Sequence, residues 1–525
     1  MDSRTSSLKP FVIFCAMIAS LGSFNSGFNT SALNIPGNNV RYCPNVDPGV
    51  VTYYPNSPLP QCIPMGDWIW GVTNGMFAVG GLLGAMSNGY MANIFGRRDS
   101  MIIMNVNFFI GAILLSLATS SAQFAIGRIF VGIGSGFMTC VIGIYVSEIS
   151  PPKFRGALTS LLQLFTTLGI LIIECISLGL SSAIGWRIIV IITIVPTILQ
   201  MLILPFCARS PRWLVGQNRI DEARVEFIKL RNGDVEAEFT DMLLGLTKGA
   251  EDHKPAPGDD KDSANGFDNT VVKAEGDNAI FESEAQLNIL QIMSIGVLAK
   301  LCMKIFVVHA LSQLTGINAI MYYSTNIFEI SFHDDAKYVT VGVAALNVVI
   351  TCVGLGLIDR LGRKTLLLIS TAGMCIWCVV MTISMRFNVD ALQVVCIMLY
   401  VAFFAIGFGM VPFVITGESF PTYAVGAASS ACLAINWLCN FIIGLIFPTL
   451  LAACGPYVFL IFAGLSLVAF IFVFIFISET KQKSIDEIGR QLKWYGINIA
   501  EELEKRGKKA PKGIEAPSVD PPVEA

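Results

Sequence analysis

Gly96-Arg97-Arg98 stands at the end of a long uncharged run, and Gly362-Arg363-Lys364 answers it 266 residues later. A second landmark, Glu148-x-x-Pro151-x-x-x-x-Gly156-Ala157, is answered by Glu418-x-x-Pro421-x-x-x-x-Gly426-Ala427 at an offset of 270. Near-equal offsets at two separate places mean that a unit has been duplicated. Both copies sit between long uncharged stretches, so the unit is a set of membrane spans.

Composition agrees. Of the 525 residues 54% are hydrophobic and only 14% charged, outside the range of soluble domains. Runs without charge at 10–33, 68–96, 101–127, 188–208, 305–328, 338–358, 365–385 and 391–417 are each long enough to cross hydrocarbon, which takes about 20 residues. The run 419–478 is too long for one helix, and Gly455-Pro456 divides it. With spans near 129–147 and 157–180 the expectation is an all-α membrane protein of twelve transmembrane helices in two pseudo-symmetric six-helix bundles. Parallel halves of this kind hold a substrate site between bodies that rock, so the chain is read as moving a solute across a bilayer.

Lys and Arg collect in alternate connections: Arg97, Arg98, Lys153, Arg155, Arg209, Arg212, Arg360, Arg363, Lys364, Lys481 and Lys483. The opposite connections hold little beyond Arg41, Arg187, Lys337 and Arg386, which places both termini in the cytoplasm. Phe11 to Leu33 is longer than a signal peptide's apolar region and carries Asn25, Asn29 and Thr30, so it is read as the first span.

The expected divisions are a first bundle at 1–208, a cytoplasmic linker at 209–300, a second bundle at 301–480 and a cytoplasmic tail at 481–525. The linker opens with an amphipathic helix around Ile220–Leu230 ending at Asn232-Gly233, then turns acidic from 247 to 284 and is expected to be disordered there. The tail begins helically through Ile485–Tyr495. Residues 34–66 form the one long outer loop, where Cys43 and Cys62 are candidates for a bridge, with Cys454 as a rival partner. The other cysteines, Cys375-x-x-Cys378 included, lie in or beside apolar spans and read as buried small hydrophobes.

At this point the motifs resemble a family. Gly127-Arg128-Ile129-Phe130-Val131-Gly132, Tyr145 to Gly156 and Ser210-Pro211-Arg212-Trp213-Leu214 resemble the first half of the sugar porters of the major facilitator superfamily. Gln313 to Ala319, Tyr322-Tyr323-Ser324-Thr325, Asp359 to Lys364 and Glu479-Thr480-Lys481 resemble the second half. Gly-Phe-Asn-Thr at 27–30, Ala-x-Asn-Trp at 434–437 and Cys-Gly-Pro-Tyr-Val-Phe at 454–459 bring the chain nearest the glucose and hexose facilitators. The resemblance implies the major facilitator fold and monosaccharide transport, glucose or a related hexose, by alternating access as a uniporter in the plasma membrane.

A sugar is neutral and covered in hydroxyls, so its site should offer amides and hydroxyls beside aromatic faces. The resemblance carries sugar contact onto Gln163, Gln313, Asn318, Asn347 and Asn436, with Ser312 where the family often has a Gln and Phe413 where it has a Trp. A plainer reading is that membrane amides tie helices together, and a lone Asn440 is read that way. Glu148 and Glu418, with Arg155, Arg212, Arg360 and Arg363, look like the family's inner latch. The repeat exposes defects in it: Ile94 matches Arg360, Val425 matches Arg155, and Arg209 reverses the charge of the family's Pro-Glu-Ser-Pro-Arg. Gly407 and Gly409 can loosen the tenth helix as a gate, or serve close packing.

Proton-linked relatives place an Asp where this chain has Asn29, which argues for a facilitator. Glu174 argues the other way as an intramembrane carboxylate. It lies about 26 Å along its helix and Arg128 about 28 Å along its own, so a structural Arg128–Glu174 pair is the favoured reading over a proton symporter. A sugar sensor with little transport is a further alternative. An enzyme is not expected: His253, His309 and His333 are scattered, no cofactor or metal cluster is read, and His309 reads as a helix contact. The net charge of −3 gives no sign of nucleic acid, leaving sugar and membrane lipid as partners of a working monomer.

Overall fold

A computed structural model describes residues 8–43, 46–47, 49–151, 154–232, 235–247, 287–332, 335–481, 483, 485–492, 494, 502–503 and 506. Lys153, Gly233, the acidic stretch 248–284 with His253, His333 and Tyr495 lie outside the described residues.

The first six spans are α1 (Pro10–Ser31), α2 (Asp67–Ile94), α3 (Arg97–Ser116), α4 (Ser121–Ile149), α5 (Leu161–Leu180) and α6 (Gly185–Phe206). Two of the next spans are interrupted: α7a (Gly296–Leu314) continues as α7b (Ile317–Phe332), and α10a (Asp390–Ile406) as α10b (Val411–Ser419). Between them run α8 (Ala336–Leu361) and α9 (Arg363–Arg386), and α11 (Thr422–Cys454) and α12 (Val458–Phe476) complete the set. By length and apolarity alone, 11 stretches among the described residues can cross a membrane. The last of them, Tyr423–Phe476, runs 54 residues and turns back at Gly455–Tyr457, where Gly455 takes φ +53°, so the spans number twelve. The chain is an all-α, multi-pass membrane protein of the major facilitator fold. Ile220–Leu230 is helical as expected, while the helix Val235–Thr247 that follows it has no counterpart in the sequence reading.

The duplication is visible in the packing. Within the first bundle α1 lies on α5, α2 and α3 on α4, and α3 on α6; within the second, α7a lies on α11, α8 and α9 on α10a, and α9 on α12. Small residues allow the closest of these contacts: a Cβ on Gly80 would stand 2.1 Å from the Ile129 carbonyl oxygen, and one on Gly132 2.1 Å from that of Phe77. With lipid as apolar as the side chains, such backbone approach is what holds membrane helices together. Leu202, Phe206 and Phe474 are exposed on the outside, where a hydrocarbon layer would cover them.

Across the bundles α2 meets α11, α5 meets α8 and α1 meets α7b. A Cβ on Gly71 would lie 2.4 Å from the Leu445 carbonyl oxygen, and one on Gly75 3.0 Å from the Phe441 ring. Because α2 and α11 run in opposite directions, these contacts cluster toward the end that carries the 34–66 loop, called here the disulfide end. The opposite end, with Gly96 (φ +83°) and Gly362 (φ +90°) opening α3 and α9, is the basic end.

The loop begins with a short helix, Gly37–Arg41, and Cys43 is joined to Cys62 across 19 residues, while Cys454 keeps its thiol. The loop is pinned to the first bundle. Trp186 Nε1 donates to the Gln61 carbonyl at 3.0 Å, Arg187 Nη2 to that of Pro60 at 2.7 Å, and the Tyr54 hydroxyl to that of Ala183. Mass mapping of the unreduced protein should link a Cys43 peptide to a Cys62 peptide. Cys43→Ser should cost about 2 to 4 kcal/mol of stability, the usual loss for a loop of this size. Two free thiols in the native protein would remove this staple.

Candidate functional site

Span seven breaks where its sequence reads Thr315-Gly316. Gly316 takes φ +101°, a conformation that L side chains resist, and a Cβ there would meet the Phe462 ring at 2.7 Å. The break frees backbone groups that lipid cannot satisfy. The Thr315 carbonyl is met by the Tyr400 hydroxyl of α10a at 2.8 Å, so the broken span is secured by its neighbour.

Amides gather around this break. Asn318 Nδ2, at the start of α7b, donates to Gln313 Oε1 at the end of α7a. Ser312 Oγ donates to the His309 carbonyl at 2.8 Å and accepts from Asn436 Nδ2 of α11 at 3.3 Å. His309 Nε2 stands 3.0 Å from Thr416 Oγ1, and its ring meets that of Phe413 edge-on at 5.2 Å. Span ten is interrupted between Ile406 and Val411, and a Cβ on Gly407 would lie 2.4 Å from Ser370 Cβ of α9. Gly407 therefore both ends a helix and permits close packing, while a Cβ on Gly409 would stand 3.3 Å from the Phe404 ring.

Gln163 on α5 and Asn347 on α8 have no hydrogen-bond partner among the described residues, yet their polar atoms are not sealed off. Gln313, Asn318, Asn347 and Asn436 are 7 to 9% exposed and Phe413 is 41% exposed, although all lie mid-span. The structure thus links Ser312, Asn436 and Phe413 through His309 across α7, α10 and α11, and separately pairs Gln313 with Asn318 across the α7 break. No side-chain contact ties Gln163 or Asn347 into either group; their spans pack on each other across the bundles. Asn440 accepts from the Tyr322 hydroxyl at 2.9 Å and serves a helix contact.

At the basic end the repeat is nearly atom for atom. Arg97 Nη2 pairs with Glu148 at 2.9 Å and Arg363 Nη2 with Glu418 at 2.8 Å. Their Nη1 atoms donate to the Ala92 and Ile358 carbonyls, both at 3.2 Å. The second carboxylate oxygens accept from Ser210 Oγ at 2.5 Å and Thr480 Oγ1 at 2.6 Å. Glu148 and Glu418 are therefore bonded within their own bundles in this conformation. Arg155 is exposed beside Arg212 and Arg231, and exposed Arg360 lends its carbonyl to Lys481 Nζ at 2.6 Å. The reversed charge of Arg209 is balanced by Asp99 at 3.2 Å and Glu222 at 3.7 Å. Arg97, Ser210 and Thr480 stand in the quoted motifs but were not read as part of the latch, although the offset of 270 that relates the two glutamates also relates Ser210 to Thr480.

One expectation is corrected. Arg128 and Glu174 do not pair. Arg128 Nη1 donates to the Asn29 carbonyl at 2.9 Å and its guanidinium lies 4.6 Å from the Phe77 ring centre. Glu174 Oε1 instead accepts from Asn34 Nδ2 at 3.1 Å. Similar depth on two helices had suggested contact, but α4 turns Arg128 toward α1 and α2. The Asn29 amide is spent inside the first bundle, donating to Thr193 Oγ1 of α6 at 2.6 Å.

The sugar (and other) transporter family matches residues 15–492. The chain belongs to this family. Among its relatives the rabbit (Oryctolagus cuniculus) "Solute carrier family 2, facilitated glucose transporter member 3" is 32% identical over 515 residues, covering 96% of each chain. The mouse (Mus musculus) member 4 is 32% identical, covering 91% of this chain and 90% of its own. Among solved structures, the partially occluded inward open xylose transporter XylE from E. coli superposes with a TM-score of 0.70 at 22% identity, covering 91% of this chain and 100% of that one. That likeness concerns the fold.

Within this sugar (and other) transporter, the Tyr400 hydroxyl should matter for stability. Tyr400→Phe strands the Thr315 carbonyl and should lower stability by about 1 to 3 kcal/mol in thermal unfolding of the solubilised protein. Tyr338→Phe, on an exposed ring, should change nothing measurable.

Proposed function

We propose that the chain carries a monosaccharide, glucose or a related hexose, down its gradient by alternating access. The observation that carries this reading is the set of uncharged amides, Gln313, Asn318 and Asn436, gathered at mid-span around the α7 break. Amides both donate and accept, as sugar hydroxyls require. The relatives' names support the same substrate class.

The moving bodies are residues 1–208 and 301–480, joined by 209–300, with 481–525 as tail. Gln163, Gln313, Asn318, Asn347, Asn436 and Ser312 bind the sugar, and Phe413 offers it an aromatic face. The conformation described, with bundles in contact at the disulfide end and Glu148 and Glu418 bonded at home, is the state open to the basic end. In the opposite state those carboxylates exchange partners across the gap, with Arg155, Arg212, Arg360 and Arg363 as candidates. The breaks at Gly316 and at Gly407 and Gly409 let α7b and α10b move separately from the spans behind them. Lys and Arg place the basic end and both termini in the cytoplasm, and the chain works as a lipid-embedded monomer of the plasma membrane with no enzymatic step.

Facilitation is favoured over proton coupling because Asn29 cannot titrate and its amide is already committed to Thr193. Labelled glucose in proteoliposomes should equilibrate and stop at equal concentrations, with or without an imposed pH difference. Accumulation driven by that difference would replace the facilitator by a symporter, and binding without flux would make it a sensor.

Gln163→Ala and Asn318→Ala should each weaken the sugar by about 1 to 3 kcal/mol, raising KM roughly 5- to 150-fold at normal surface expression. Unchanged kinetics in both would mean that these amides only hold helices together.

A further inference from the structure

Ser31, Asn34 and Asn38 fall on one face at and just beyond the end of α1, and each meets α7b of the other bundle. Ser31 Oγ donates to the Met321 carbonyl at 3.3 Å, and Asn38 Nδ2 to Glu329 Oε2 at 2.7 Å. Between them Asn34 makes two cross-bundle bonds: Nδ2 donates to Ser324 Oγ at 2.8 Å, and Oδ1 accepts from the Thr325 backbone N–H at 3.2 Å. All four of the residues in the middle rung, Asn34, Ser324, Thr325 and Glu174 behind them, are 4% exposed or less.

Among the described residues, only this middle rung has a carboxylate behind it on its own bundle. The Asn34 amide donates its remaining hydrogen to Glu174 Oε1 at 3.1 Å, on α5 of its own bundle. Glu174 Oε1 takes the accepting role in this bond, and an acceptor there selects one of the two orientations an amide can take. It draws the NH2 group toward itself and leaves Oδ1 pointing at the Thr325 N–H. Turned by half a rotation, Asn34 would oppose its oxygen to the carboxylate and its hydrogens to another N–H, and the rung would be lost. Arg128 is engaged elsewhere, the nearby Ser31 hydroxyl is turned to the Met321 carbonyl, and Glu174 Oε2 has no hydrogen-bond partner among the described residues.

We propose that Glu174 is a positioning residue for closure at the disulfide end, holding the Asn34 amide in the one orientation that clasps Ser324 and Thr325 of the opposite bundle. The inference rests on the alternating-access reading, because a clasp between bundles has a function only if they part there. Glu174 itself touches no sugar.

The test uses full-length protein in lipid nanodiscs without sugar, so that it reads the clasp whether or not the transport reading holds. Hydrogen exchange of backbone amides in 317–332 reports opening of α7b. Glu174→Leu and Asn34→Ala should each raise that exchange about tenfold, the equivalent of one lost hydrogen bond. Because Glu174 acts through Asn34, the double variant should exchange no faster than Asn34→Ala alone. Glu174→Gln, which can still accept from the Asn34 amide, should stay near wild type. If Glu174→Leu does not insert, Glu174→Asp, with a shorter reach, should show the same tenfold rise. Additive effects of the two variants, exchange unchanged in every Glu174 variant, or Glu174→Gln as fast as Asn34→Ala would each overturn the proposal. Absence of sugar flux in proteoliposomes would instead count against the function alone.

Discussion

A helix that crosses hydrocarbon cannot be interrupted without leaving backbone groups that lipid will not satisfy. Yet α7 stops at Thr315-Gly316 and α10 at Gly407, both in mid-bundle. The bond from the Tyr400 hydroxyl to the Thr315 carbonyl makes the first break tolerable, and it does so from the second broken span. The second break is met from α9, where Ser370 Oγ accepts from the Phe408 backbone N–H at 3.3 Å. The amides of the candidate site stand on either side of the α7 break, where the chain direction shifts and side chains from α7a and α7b turn toward each other. Without the break Gln313 and Asn318, five positions apart, would project from different faces of one helix.

The duplication supplies a second constraint. Arg97 and Glu148 in one half, and Arg363 and Glu418 in the other, repeat a single geometry with distances that agree to 0.1 Å, 2.9 and 2.8 Å. Each pair is braced by a hydroxyl from the segment that follows its bundle, Ser210 or Thr480. These side chains are partly exposed, from 8% at Glu148 to 28% at Glu418, so water remains available when a pair must open. A fully buried pair would be costly to break, about 3 to 5 kcal/mol once a partner is withdrawn, and would hold one state.

The architecture was legible because it rests on long averages: spans from charge-free runs and halves from two offsets. The amides of the candidate site were singled out only through resemblance, since nothing in an isolated Gln163 or Asn347 distinguishes a sugar contact from a helix tie. What escaped was rotation about helix axes. Arg128 and Glu174 sit at similar depth, but depth does not say which neighbour a side chain faces, and Arg128 faces α1 and α2. The break in α7 escaped because one glycine in an apolar run is common; here the Phe462 ring, distant in sequence, makes it obligatory. The contacts of Ser31, Asn34 and Asn38 escaped because they lie where a span gives way to a loop, and helical periodicity was not followed past the end of α1.

The two ends use different chemistry, and the dielectric explains the difference. At the basic end, charges that part are met by water. At the disulfide end the rungs from α1 to α7b are buried, and the groups that meet across the gap are mostly neutral amides, hydroxyls and backbone. A neutral group released in a poorly hydrated place costs far less than a bare charge. Each such rung contributes about 0.5 to 1.5 kcal/mol net, so three or four of them add up to the few kcal/mol that separate interconverting states. Glu174 fits this scheme because it stands behind the gap, bonded within its own bundle, and can stay in place when the bundles part. A carboxylate there lends direction to a neutral clasp without itself having to be dragged across the membrane interior.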